Sequence, residues 1–156
     1  MGLRHNILHD PVSELPLRQL IAVKGDAPVR HAVEQMQTRR LGCVVILDDE
    51  GRPLGQFTER LLIRLLLKNP GGLDEPVRRH MASAWAWVEE TDPIAKVIEC
   101  MEEKKLRFVL VLDKQGHPVG FTGQKGVMEY IAEHFPRQVK VQEMDSKLYM
   151  DQREGA

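Results

Sequence analysis

The amino-acid sequence predicts a mixed α/β (α+β) chain built from two pseudo-symmetric copies of one β-α-β-β-α unit. Three observations carry this prediction. Displacing the chain by 65 residues aligns 11–70 with 76–135 without a gap and gives at least twelve identities in 60 positions, where ordinary composition yields roughly 6% by chance. Hydrophobic periodicity then changes from strand-like to helix-like in the same order in both copies. Each copy also carries one Asp…Gly-x-Pro turn at the same place, Asp48 to Pro53 and Asp113 to Pro118.

Each copy opens with a short extended stretch, Leu20–Val23 or Trp85–Val88. The helix that follows is expected to place Pro28 or Pro93 at its first position, where a missing N–H costs nothing; Asp92 is a good N-cap and Ala27 a poor one. Val29, Ala32, Val33 and Met36, matched by Ile94, Val97, Ile98 and Met101, form one apolar stripe at helical spacing. Next comes a continuous apolar run, Cys43–Leu47 or Phe108–Leu112, the pattern of a strand covered on both faces. The Asp…Gly turn folds it back on a second strand, Leu54–Phe57 or Val119–Thr122. A second helix, Glu59–Lys68 or Gln124–His134, completes each unit.

Pro70-Gly71-Gly72 has the chemistry of a linker. The expected organisation is an N-terminal arm at 1–10, repeats at 11–70 and 76–135, a linker at 71–75, and a peripheral tail at 136–156. Two units joined so closely, each with an apolar sheet face of its own, should share a core.

Composition narrows the function classes. The 156 residues carry 22 basic and 23 acidic side chains, a net charge of −1, which argues against nucleic acid or an anionic membrane as partner. Met1 to Asp10 lacks the apolar run of a signal peptide, and Arg64 breaks the longest apolar stretch, so a cytoplasmic location is expected. Cys43 and Cys100 sit in no CxxC or ligand cluster and read as small hydrophobes in a reducing compartment.

The turn Asp48…Gly51-Arg52-Pro53-Leu54-Gly55, its continuation Gln56-Phe57-Thr58-Glu59-Arg60, and Val77-Arg78-Arg79-His80-Met81 resemble the tandem CBS-domain pair, or Bateman module, over roughly 11–135. The resemblance implies two clefts flanking paired sheets, where many members bind adenosine nucleotides. It also implies a motif, Gly-x-hydrophobic-Ser/Thr-x-x-Asp, in which a hydroxyl and helix N-terminal N–H groups meet phosphate and the carboxylate meets the ribose diol. Carried over, Thr58 takes the hydroxyl position of copy one with Arg60 beside it, and Leu61 stands at the aspartate position. In copy two these positions hold Gly123, Lys125 and Gly126. Both aspartates are missing, which removes the ribose acceptor. Thr58 with Arg60, and the basic glycine-bearing turn at Gly123, Lys125 and Gly126, remain candidates for holding an anion.

By the same resemblance Ile21 and Ala86 lie where family members make backbone contacts to adenine. Trp85 and Trp87 border a cleft, with Trp87 a candidate stacking surface for a purine and core or interface packing the alternative. Arg39 and Arg40, matched by Lys104 and Lys105, suit the negative end of a helix dipole and are candidate phosphate ligands. Arg78, Arg79 and His80 read as solvated charges. His5 and His9 have i,i+4 spacing but no third ligand, so no metal is expected. No nucleophile elbow or Walker loop occurs, so no catalytic residues are assigned.

The function expected is that of a stand-alone, non-enzymatic regulatory module. It would sense a small anionic or adenosine-nucleotide-like ligand, such as AMP, ADP, ATP or another phosphate-bearing molecule, require no cofactor, and signal to a partner protein as a homodimer. The alternative is a degenerate pair that has lost nucleotide binding and acts as a protein-interaction scaffold.

Overall fold

A computed structural model describes residues 2–136; most of the tail assigned to 136–156 lies outside the described residues. Helix α1 (Leu3–His9) precedes two equivalent units. The first contains β1 (Ala22–Lys24), α2 (Val29–Arg39), β2 (Cys43–Leu47), β3 (Pro53–Thr58) and α3 (Glu59–Lys68). The second contains β4 (Trp87–Glu89), α4 (Ile94–Lys104), β5 (Phe108–Leu112), β6 (Pro118–Gly123) and α5 (Gln124–His134). Every element start repeats at the same 65-residue displacement, and so do the details. Arg40 and Lys105 close α2 and α4 in the left-handed region at φ 54° and 52°, and Gly51 and Gly116 turn at φ 78° and 84°.

The turns explain themselves chemically. Asp48 Oδ1 accepts the N–H groups of Glu50 and Arg52 at 2.9 and 2.8 Å, and Asp113 Oδ1 those of Gln115 and His117 at 2.8 and 2.9 Å. Each aspartate thus templates its hairpin while glycine supplies the positive φ.

In each sheet the central strand pairs parallel with the first and antiparallel with the third. Strict alternation then sorts the side chains. Cys43 and Val45 meet Leu110, Leu112 and Phe121 between the two sheets, while Val44, Ile46, Val109 and Val111 turn toward the helices. The continuous apolar runs are therefore strands buried on both faces.

The two units exchange their leading segments. Val12 and Ser13 donate to the carbonyls of Asp92 and Glu90 in copy two, and Val77 and Arg78 donate to Ala27 and Gly25 in copy one. Further along, Arg18 exchanges a backbone pair with Phe121 at 2.7 and 3.1 Å, and Ala82 one with Gln56 at 2.8 and 3.1 Å. Val12 and Leu15 accordingly lie in the core of copy two, and Val77 in that of copy one. Arg18 and Ala82 are equivalent although 64 residues apart, so the displacement slips by one residue here and is restored at Ile21 and Ala86. On the outside α1 lies against α4, and the Tyr130 hydroxyl donates to the Asp10 carboxylate, which also accepts from Asn6.

Three local expectations need correction. The opening strands are Ala22–Lys24 and Trp87–Glu89, two residues later than Leu20–Val23 and Trp85–Val88, because pairing with the central strand begins only at Val45 and Leu110. Pro28 and Pro93 are themselves the N-caps, in extended conformation, and the helices start at Val29 and Ile94. Asp92 therefore does not cap α4; its carboxylate accepts from the Glu89 N–H and from Lys96, both at 2.7 Å.

Candidate functional site

The start of α5 is shaped by two glycines. A Cβ on Gly123 would stand 2.1 Å from the Arg107 carbonyl oxygen, so β6 approaches β5 as closely as it does only because this residue has no side chain. At Gly126 a Cβ would meet Thr122 Oγ1 at 2.7 Å and the Pro16 carbonyl at 3.1 Å. The aspartate position of copy two is therefore closed to aspartate as well as lacking it.

Beside this turn lies a cleft of about 220 Å³ between the two units. Four cations line it: Arg18 from the exchanged segment, Arg40 at the end of α2, Arg107 before β5, and Lys125 in the first turn of α5. Arg18 also pairs with Glu129 at 2.5 Å, whereas Arg40, Arg107 and Lys125 have no ion-pair partner among the described residues. At its floor sits Thr122, only 3% exposed, whose hydroxyl is buried without a hydrogen-bond partner. Three cations without an ion-pair partner among the described residues, drawn from both units around one cleft, suit an anionic ligand.

The sequence-predicted residues divide between three places. Gly123, Lys125 and Gly126 come together in this cleft, joined by Arg40. Thr58 caps α3, its Oγ accepting the Leu61 N–H at 3.3 Å, while Arg60 is exposed one residue into the helix. Leu61 packs against the helical core of copy one. Ile21 and Ala86 turn their side chains into the two helical cores, and their carbonyls accept from Val45 and Leu110 at 2.9 and 3.0 Å. Neither side chain reaches the cleft.

Trp85 packs on the inter-sheet core with its indole N–H unpartnered, and Trp87 on the edge strand is 45% exposed. His5 and His9 stack at 4.1 Å on α1, and no group of three or more metal-ligating side chains occurs among the described residues. No described helix is long and apolar enough to cross a membrane. Burial pushes the Cys43 thiol up to about 12, which leaves it an inert core group.

Sequence reasoning missed Arg18, Arg107 and Thr122. Arg18 reaches the cleft only through the exchange of leading segments, which no pattern along the chain announces. Arg107 and Thr122 were visible as departures from the repeat, since copy one has Gly42 and Phe57 there.

Comparison with known proteins gives the same organisation. The CBS domain family model matches twice, at residues 12–68 and 77–133. An uncharacterized protein of Methanopyrus kandleri is 26% identical over 122 residues, 76% of this chain. The chain spans 61% to 65% of the length of the curated relatives it matches. A CBS domain protein from Pyrobaculum aerophilum, solved in complex with AMP, superposes with TM-score 0.70 at 25% identity, covering 85% of this chain and 96% of that one. The CBS domain pair of protein MJ0100, solved with 5′-methylthioadenosine and S-adenosyl-L-methionine, shares the fold at TM-score 0.69 and 16% identity, covering 79% and 96%. With two family matches on two halves of the same element order, the chain belongs to the CBS domain family as a tandem pair.

Proposed function

We propose that this pair is a non-catalytic regulatory module that senses a small anionic or adenosine-nucleotide-like ligand in the cleft at the start of α5 and signals to a partner protein. The observation that carries the reading is the set of four cations, drawn from both units, that lines one cleft. The AMP bound to the relative from Pyrobaculum aerophilum supports the ligand class. An anion in this cleft is attracted by Arg40 of copy one and by Arg107 and Lys125 of copy two at once, so its binding energy favours whichever packing of the units brings those cations closest.

The module acts as a homodimer in this reading. Helix α3 is apolar on its outer side as well as its inner one. Ile63, Leu66 and Leu67 are exposed there, Leu67 by 81%, and a groove with Val33, Met36, Leu41 and Leu62 in its lining, beside Gln37, Arg40 and Glu59, runs alongside. A second copy covering this face would bury what water now touches. The same stripe favours the second reading, a scaffold that binds proteins and no nucleotide.

Thermal denaturation against AMP, ADP, ATP, S-adenosylmethionine and inorganic phosphate separates the two. A ligand at about 100 times its dissociation constant adds about 2.7 kcal/mol, readily seen in a chain of this size. Under the sensor reading at least one compound raises Tm, and Lys125→Ala removes the shift. Silence across the panel favours the scaffold.

A further inference from the structure

The two clefts of the pair are not equivalent, and the difference lies in their floors. At the position of Thr122 copy one has Phe57, which is fully buried, and at that of Gly126 it has Leu61. Phe57, Leu61 and Met81 pack in one hydrophobic cluster. Where a threonine and a glycine line the copy-two cleft, copy one thus has an aromatic ring and an isobutyl group. A polar ligand could enter only by displacing close-packed apolar side chains.

The rims differ less. Of the four cations lining the copy-two cleft, Arg40 and Lys125 have basic counterparts in Lys105 and Arg60, Arg107 and Gly42 line it together and exchange places in the other cleft, and Arg18 alone is replaced by an uncharged residue, Ala82. The Glu59 carboxylate also lies against Gly42, 3.2 Å from where a Cβ would be. Arg64, at the position of Glu129, returns one positive charge a turn further along α3, so the apolar plug decides the matter more than the charge count.

We infer that the pair is one-sited: the copy-two cleft takes a single ligand per chain and holds it by its anionic end, while the copy-one cleft is closed by Phe57, Leu61 and Met81. This rests on the reading of the copy-two cleft as a ligand site. It also fixes the chemistry recognised. With Gly126 in place of an acceptor and no room there for a carboxylate, a ribose diol has no dedicated partner, whereas phosphate oxygens face cations from both units. Removing the phosphates should abolish binding, and removing the 2′-hydroxyl should leave it unchanged.

Isothermal titration with ATP, 2′-deoxy-ATP, tripolyphosphate and adenosine tests this on the full chain and on Arg40→Ala, Lys105→Ala and Thr122→Val, each checked for an unaltered melting transition. Arg40 and Lys105 are matched residues with the same backbone conformation, one beside each cleft. The expected result is one site per chain, equal affinity for ATP and 2′-deoxy-ATP within about twofold, and no heat with adenosine. Arg40→Ala weakens binding about tenfold or more, as expected for loss of a charge-assisted contact, and Lys105→Ala leaves it unchanged. Two sites per chain, dependence on Lys105, or an ATP preference of tenfold over the deoxy form overturns the inference while the sensor reading stands. No heat with any of the four probes overturns the sensor reading, and the inference with it.

Discussion

Restoring the family's carboxylate by Gly126→Asp is expected to weaken the fold without creating a ribose site. An added Cβ meets Thr122 Oγ1 at 2.7 Å and the Pro16 carbonyl at 3.1 Å, and neither neighbour is the free end of a long side chain. Overpacking of this kind costs about 1–3 kcal/mol. Two effects oppose it: replacing glycine within a helix gains a few tenths of a kcal/mol, and an acidic group in the first turn about 0.5 kcal/mol. The steric term wins, leaving about 1 kcal/mol of net destabilisation, or a Tm about 2–4 °C lower for a chain of this length. The assay is thermal denaturation followed by circular dichroism, with an AMP titration in parallel. Because much of the cost comes from the Thr122 hydroxyl, adding Thr122→Ala to Gly126→Asp should recover part of the loss, a non-additivity expected of residues in contact. A Gly126→Asp protein with unchanged Tm and tighter AMP binding would refute this account of the cleft.

Two further outcomes follow from backbone and burial. Arg40 and Lys105 hold left-handed conformations at φ 54° and 52° that cost a non-glycine residue about 1 kcal/mol, so Arg40→Gly and Lys105→Gly should each raise Tm by about 2–4 °C; equal or lower melting temperatures would count against that strain. Cys43, fully buried with its thiol pushed up to about 12, should react with a disulfide reagent at pH 8 only as fast as the chain unfolds, and prompt labelling at this position would contradict its burial.

Much of the fold was legible because the same physical constraints operate twice. Cys43–Leu47 and Phe108–Leu112 are strands with the bounds their apolar runs define, and Glu59–Lys68 and Gln124–His134 are helices as read. The hairpins between strands were marked by aspartate and glycine at positions where each has a specific backbone task. What could not be read was non-local. Short edge strands are defined by their partner, so β1 and β4 begin where pairing begins, and the extended stretch before them stays unpaired or joins the other unit. The caps at Pro28 and Pro93 depend on whether ψ is extended or helical, a choice the residue type leaves open.

The site was legible in part for the same reason. Gly123, Lys125 and Gly126 lie within one turn that the family motif marks, so they could be found together. Arg18 sits more than a hundred residues away along the chain and arrives only through segment exchange. The inequality of the clefts was written in the pairs Phe57/Thr122 and Leu61/Gly126, but their meaning depends on which side of the strand faces α3 or α5, and that emerges only once register is fixed.

The most direct test of the sensor reading is a crystal structure of the protein grown with millimolar ATP. The account predicts density for phosphate groups among Arg40, Arg107 and Lys125, and side chains of Phe57, Leu61 and Met81 closing the other cleft. Nucleotide bound in the copy-one cleft, or a copy-two cleft that stays empty while ATP binds elsewhere, would contradict it.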